Sequence, residues 1–303
     1  MKIGLICDDG KNFPNFALMK IAEYEKSCGN DVEFVNFFNS YDKVYRSKVF
    51  TNKTPIQTIV NANLIIRGGT GYDYKIMLPE SIENIEPDYS LYPQFKHAIG
   101  FLTRGCIRSC DFCIVSKKEG YIREYRDIET VLQGRESAVL MDNNVLGCDF
   151  GIKQIEKIID LKIKVDFNQG LDARLIDYDM AKLLKQVKWI RQIRIACDSE
   201  EMIKQIERVV DLFKIIGVSS KMFFVYCLIT DNLEESYKRI NILKRLGVDV
   251  FAQPYIDFTK KSYPKKWQND LAYWVNKKMI FKSCDFKEFK PRKDFKCSKY
   301  FDN

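Results

Sequence analysis

Apolar and polar positions over the first 78 residues alternate between two periods. Ile3 to Cys7 and Val32 to Phe37 are short apolar runs that predict strands. Between them Phe16, Met19, Ile21 and Tyr24 recur at helical spacing until Gly29-Asn30 stops the pattern. Lys43 to Phe50 is a weaker strand candidate. Thr54-Pro55 then opens a short predicted helix, and Leu64-Ile65-Ile66 predicts a buried strand ending at Gly68-Gly69-Thr70-Gly71. Strand, helix, strand in this order implies a small Rossmann-like parallel sheet, residues 1–78. Residues 79–97, with Pro79, Pro87 and Pro93, read as a linker.

Beyond the linker the alternation lengthens. Ala98–Leu102, Ala138–Met141, Ile163–Phe167, Ile193–Ala196, Met222–Leu228 and Val248–Ala252 are strand candidates. Amphipathic helices fall between them, marked by Ile152 to Ile159, Met180 to Val187, Ile203 to Phe213 and Tyr237 to Leu246. Six such units over residues 98–258 predict an α/β fold of the partial (β/α)6 TIM-type barrel kind, with function in the loops after the strand C-termini. An open doubly wound sheet satisfies the same periodicity. Residues 259–303 are less regular. Within them, positions 281–300 interleave seven basic and three acidic residues with Phe281, Phe286, Phe289, Phe295 and Tyr300. That mixture suits either a nucleic-acid groove or a solvated, partly ordered end.

Composition removes several classes. The 303 residues are 46% hydrophobic and 13% aromatic, which is too apolar for disorder. No apolar run approaches the ~20 residues of a membrane helix, so no membrane partner is expected. The start, Met1 to Asp9, runs from a short apolar stretch into acids and reads as a strand rather than a signal peptide, which points to a cytoplasmic protein. In that compartment ten cysteines call for metal ligation or burial rather than disulfides. The net charge of +8 is compatible with a nucleic-acid partner without arguing one.

The loop after the first barrel strand reads Thr103-Arg104-Gly105-Cys106-Ile107-Arg108-Ser109-Cys110-Asp111-Phe112-Cys113. Three thiolates on one short loop can each take one iron of a single cubane, leaving the fourth iron an open position. Cys106, Cys110 and Cys113, with Phe112 before the third, resemble the signature of radical S-adenosylmethionine enzymes, and the resemblance covers about residues 98–255. It implies a 4Fe-4S cluster held by those three cysteines, with S-adenosylmethionine chelated at the open iron. It also implies a one-electron donor such as flavodoxin or ferredoxin, and a 5′-deoxyadenosyl radical that takes hydrogen from a substrate. The substrate is not identified; nucleic acid and peptide both suit the basic balance.

The same resemblance gives roles to further residues. Phe112 is expected near the adenine, Asp142 and Asn143 at the methionine ammonium, and Asp198 and Ser199 at the ribose. Read for themselves, Asp142-Asn143-Asn144 also makes a plain strand-to-loop turn. Asp198 with Glu201 also fits a helix capping box, as do Asp231 and Glu234. After the third strand, Asp166 to Arg174 is rich in polar side chains. Asn168 is taken there as cofactor-binding, with Asp172 and Arg174 as the catalytic pair; their pairing with each other at the surface is the plain alternative.

Cys197 and Cys227 are expected to behave as small apolar residues, and Cys284 and Cys297 as plain thiols rather than ligands of an auxiliary cluster. Cys148 is a candidate working thiol. Residues 1–78 resemble a degenerate cobalamin-binding domain. The ligand motif Asp-x-His-x-x-Gly is missing, since residues 8–12 read Asp-Asp-Gly-Lys-Asn and the one histidine is His97. Cobalamin is therefore left out of the expected cofactors. Two competing readings are a cobalamin-dependent methyltransferase and a non-catalytic iron–sulfur or zinc protein that binds nucleic acid, with Cys148 or Cys284 as fourth ligand.

Overall fold

In the computed structural model, residues 1–50, 59–257 and 263–302 are described, and the chain divides into two units, Met1–Lys96 and His97–Asn303. The helix expected at Thr54-Pro55 lies outside the described residues.

The first unit holds a parallel sheet of β1 (Lys2–Cys7), β2 (Asp31–Phe34), β3 (Ser40–Ser47) and β4 (Asn61–Gly68) in the order β2-β1-β3-β4. Helix α1 (Phe16–Ser27) starts where the Asn15 side chain accepts from Leu18 N, and Leu18, Ile21 and Ala22 pack on Leu5 and Cys7. The strand Leu64-Ile65-Ile66, expected to be buried, is the sheet edge. Leu64 and Ile66 are 50% and 39% exposed, and among the described residues β4 pairs with β3 alone. Residues 79–96 include α2 (Glu80–Glu83), where Ile82 belongs to this unit's core and the half-buried Leu91 packs against it.

The second unit runs β5 (Ala98–Gly100), β6 (Thr103–Arg104), α3 (Val115–Lys118), β7 (Arg123–Glu124), α4 (Ile128–Leu132), β8 (Ser137–Leu140), α5 (Asp149–Asp160), β9 (Lys164–Phe167), α6 (Tyr178–Gln186), β10 (Lys188–Trp189) and β11 (Ile193–Ala196). It continues with α7 (Met202–Ile215), β12 (Phe223–Ile229), α8 (Leu233–Leu246), β13 (Asp249–Pro254), α9 (Lys266–Asn276) and α10 (Lys278–Ser283). All six expected strands are present and parallel to their sheet neighbours. They form two sheets, β10-β9-β8-β5 and β11-β12-β13, joined by the bridge Leu171↔Ile195, and no closed barrel forms among the described residues. Strand β10 and the antiparallel pair β6–β7 carried no sequence expectation; at two residues each they are too short to show a period.

Local chemistry sets the boundaries. Helix α8 begins with Asn232 accepting from Glu235 N, carries Glu234 and Glu235 in its first turn and Lys244 and Arg245 in its last, and ends at left-handed Gly247. The cap is thus Asn232, not Asp231. Helix α7 starts after Glu201 without a side-chain cap, so the box expected from Asp198 and Glu201 is not formed.

The tail differs most from expectation. Trp274, Phe281, Phe286, Phe289 and Cys297 are buried in the main core, and Trp274 Nε1 donates to the Cys284 carbonyl at 3.3 Å. These aromatics are interior, so they offer neither a solvated segment nor a stacking groove. The helical spacing of Leu271, Trp274 and Val275 carried the signal. Cys197 and Cys227 are fully buried, as expected, and burial pushes the Cys227 thiol up to about 12. Among the described residues no helix is long and apolar enough to cross a membrane.

Candidate functional site

The cysteine loop leaves β6 through Gly105, whose φ of +84° and position explain the glycine: a Cβ there would stand 2.4 Å from the Tyr121 carbonyl oxygen. Cys106 N then donates to the Gly120 carbonyl at 3.2 Å. Glu119 locks the base of the loop, accepting from Arg104 Nε and Nη2 and from Gly105 N, each at 3.1 Å. Cys113 N closes the second turn on the Cys110 carbonyl at 2.9 Å, with Phe112 half-buried between them.

The three thiols sit in a shared field. Burial raises the Cys113 thiol, and the neighbouring Cys110, Cys106 and Asp198 add to that rise. Backbone N–H groups already point at sulfur: Arg108 N donates to Cys106 Sγ at 3.3 Å and Val115 N to Cys113 Sγ at 3.5 Å. Among the described residues no three His, Cys, Asp or Glu side chains converge as ligands of one metal ion. A cubane asks for something else, because each thiolate takes its own iron.

The loop after β8 supplies the next layer. Asp142 is 2% exposed, and its carboxylate accepts from Leu102 N (3.0 and 3.1 Å), Thr103 N (2.6 Å) and Thr103 Oγ1 (2.8 Å). Three donors of the chain itself, the Leu102 N–H, the Thr103 N–H and the Thr103 hydroxyl, thus meet this carboxylate, mostly at Oδ1. Asp142 therefore ties β8 to the entry of the cysteine loop. Burial pushes its carboxyl up to about 6, against the pull of those donors. The Asn143 amide donates to Glu119 at 3.0 Å. Asn144, which had no expected role, is the residue with an unspent atom. Its Nδ2 is 3.5 Å from Cys106 Sγ and 3.4 Å from Asp172 Oδ2. Its Oδ1 is the one buried side-chain nitrogen or oxygen among the described residues without a hydrogen-bond partner. Nothing in the run Asp-Asn-Asn told these three apart.

Asp172 and Arg174 pair, with Arg174 Nε donating to Oδ1 at 2.7 Å and Nη2 to Oδ2 at 3.0 Å, but the carboxylate is buried rather than at the surface. Arg108, from between the first two cysteines, donates to Asp172 Oδ2 at 3.1 Å. Burial opposes the charge on Asp172, and the two arginines outweigh it and hold its carboxyl below the usual range. The Arg174 side chain also lies beside the Cys110 thiol. Asp198 is raised by burial, against the charges of Arg239 and Arg174 and the Leu228 N–H. Arg239, fully buried, holds the strand ends on either side by donating to the Cys197 carbonyl and, at 2.7 Å, to the Leu228 carbonyl. A cavity of about 750 Å³ opens there, lined by Asp198, Ser199, Lys204 and Thr230 among others.

Asn168 reaches Met141 Sδ with its amide at 3.6 Å, beside Asp142. Its carbonyl accepts from Tyr226 at 2.8 Å, in a network with the buried Asp166–Arg194 pair, whose closest contact is 2.6 Å. Cys148 precedes α5 without a capping bond.

In the first unit the turn Gly68 to Gly71 serves the chain. A Cβ on Gly69 would stand 2.3 Å from the Lys48 carbonyl oxygen, and one on Gly71 2.6 Å from Lys48 Cγ. His97 Nδ1 is 2.7 Å from Ser137 Oγ.

No protein-family profile matches this chain, and no curated protein matches it. Streptococcus suis SuiB bound to S-adenosylmethionine matches with a TM-score of 0.42 and 12% identity, over 62% of this chain and 48% of that one. A second SuiB crystal structure gives 0.42 and 12%, over 67% of this chain and 55% of that one. The match thus spans about half of the SuiB chain.

Proposed function

We propose that the chain is a radical S-adenosylmethionine enzyme, with the second unit as its partial barrel and Cys106, Cys110 and Cys113 as ligands of a 4Fe-4S cluster. One observation carries this reading: three thiols on one locked loop, with Asn144 against Cys106 Sγ and its buried acceptor Oδ1 left without a donor among the described residues. Buried polar atoms are rarely left orphaned, so the unspent oxygen fits a donor brought by a ligand, such as the ammonium of S-adenosylmethionine. When bound, such a cluster supplies the one electron, drawn from a flavodoxin- or ferredoxin-like donor, that splits S-adenosylmethionine into methionine and a 5′-deoxyadenosyl radical.

The chain's own residues do the rest. Cys106, Cys110 and Cys113 bind three irons and leave one open. Asp142, Glu119 and Gly105 hold the loop in place, and Asp172 ties Arg108 of that loop to Arg174. Arg174 carries a cation to the cluster side, where it can meet a carboxylate. Asp198 and Ser199 face the neighbouring cavity, where a ribose would find hydrogen-bond acceptors.

The test is anaerobic reconstitution with iron and sulfide, then addition of S-adenosylmethionine and dithionite. The expected outcome is 5′-deoxyadenosine with methionine, lost in Cys110→Ala. A fully loaded cluster that needs a fourth cysteine and cleaves nothing would move the assignment to a structural iron–sulfur protein.

A further inference from the structure

Hydrogen bonds to the sulfurs of an iron–sulfur cluster stabilise its more negative, reduced state and so raise its potential. Two donors to the cysteine sulfurs here are local backbone groups, Arg108 N and Val115 N, each two residues beyond its own cysteine. Asn144 is different in kind. It reaches Cys106 Sγ from 38 positions away, after another strand, and does so with a side chain. Its position is fixed on both sides: Gly147 N donates to its carbonyl at 2.9 Å, and its amide also faces Asp172 at 3.4 Å. Asp172 is itself held by Arg108 and Arg174. At 3% exposure the amide works with little competing water, where a dipole acts most strongly.

We propose that Asn144 is a positioning residue that sets the reduction potential of the cluster through its amide N–H on Cys106, an inference that rests on the function proposed above. Asp172 orients that amide. Asn143, whose amide goes to Glu119 instead of to sulfur, has no such effect.

The experiment is a redox titration of the reconstituted full-length protein, read by the paramagnetic signal of the reduced cluster, with iron and sulfide counted first. Asn144→Leu keeps the branched side-chain shape and removes the donor. At a fixed potential its reduced-to-oxidised ratio is expected to fall about tenfold, a midpoint about 59 mV more negative for one electron. Asn143→Ala is expected to leave the midpoint in place. An unchanged midpoint in a fully loaded Asn144→Leu protein overturns the tuning role and leaves the proposed function standing. An equal shift in Asn143→Ala overturns it too, since the loop rather than the donor would then be responsible. Should Asn144→Leu hold no iron, Asn144→Ala enters the same titration; failure of both to load would make the residue a structural requirement and overturn the proposal. A wild-type chain that takes up no cluster sinks the proposed function itself, a result distinct from all of these.

Discussion

Both units end parallel strands in loops, yet the two sets of strand ends are finished differently. In the first unit the order β2-β1-β3-β4 puts a topological switch between β1 and β3, where open parallel sheets commonly receive ligands. Here the chain fills that place itself. The Asn15 amide donates to Ser47 Oγ at 2.9 Å and to Cys7 Sγ at 3.6 Å, Arg46 grips Asp8 with a closest contact of 2.7 Å, and Asp9 accepts from Val49 and Phe50 N–H. In the second unit the strand ends carry three thiols and an acceptor that has no donor among the described residues. The architecture is shared; what separates a candidate site from a closed end is whether the chain satisfies its own polar atoms.

The largest effect tests that division directly. Cys106→Ala, Cys110→Ala and Cys113→Ala are each expected to abolish iron and sulfide retention, while Cys7→Ala, at the closed end, leaves both counts unchanged. Metal analysis after anaerobic reconstitution decides it, and iron loss in Cys7→Ala would erase the distinction. Next comes Asp142→Ala, which leaves two buried N–H groups and the Thr103 hydroxyl without their acceptor. At about 1–3 kcal/mol for each abandoned buried group, a loss of about 4 kcal/mol is expected in denaturant unfolding. A loss under about 1 kcal/mol would mean that Asp142 does not hold the loop.

The two regions should also respond to acid with opposite sign. Burial raises Asp142 to about 6, so the folded chain keeps a proton that the unfolded chain has released. Stability from this group is greatest below about pH 4, falls toward about pH 6 and is flat beyond, by at most about 3 kcal/mol. At Glu25 burial also opposes the charge, but hydrogen bonds from Tyr45, Lys43 and Asn30 outweigh it and lower the carboxyl. Its contribution is present above its ordinary value and is lost as pH falls through the lowered one. Hydrogen exchange between pH 4 and 7, resolved by peptide, separates the two. Protection at Leu102–Thr103 that rises with pH would contradict the assignment for Asp142.

A smaller effect concerns the glycine turn. Gly69→Ala puts a Cβ against the Lys48 carbonyl at a φ of +93°, a strain of about 1–3 kcal/mol. Thermal unfolding should register it with iron content unchanged. A stable Gly69→Ala protein would show that the turn is not held by that contact.

The elements were largely legible because β1, β5, β8, β9 and β11 are short, almost continuous buried runs, the long helices bury one face at helical spacing, and β12 alternates buried and half-buried residues from Phe223 to Ile229. The cysteine loop was legible because ligand spacing is local. What was not legible is long-range polar pairing. Asp142 meets donors 39 and 40 positions away, and Asn144 a sulfur 38 positions away, so composition at the loop could not show which acid was spent. The tail failed for a related reason. Seven basic residues among aromatics describe a surface only while the aromatics face water, and here Phe286 is fully buried.

The smallest change probes the closed end at its centre. Asn15 serves three partners at once: Leu18 N at 3.1 Å as a helix cap, Ser47 Oγ and Cys7 Sγ. Removing a cap costs about 1 kcal/mol, and a neutral hydrogen bond to a hydroxyl adds a similar amount at most. Asn15→Ala is therefore expected to lower stability by about 1–2 kcal/mol. It should also let thiol reagents reach Cys7 faster, because the side chain that stands against its sulfur is gone. Alkylation followed by mass spectrometry reads that rate beside unfolding, with Cys28 as the exposed reference thiol. Faster Cys7 labelling with an intact iron count is the result expected of a strand end closed by its own side chains. Unchanged labelling would mean that the sheet and α1, rather than Asn15, close it.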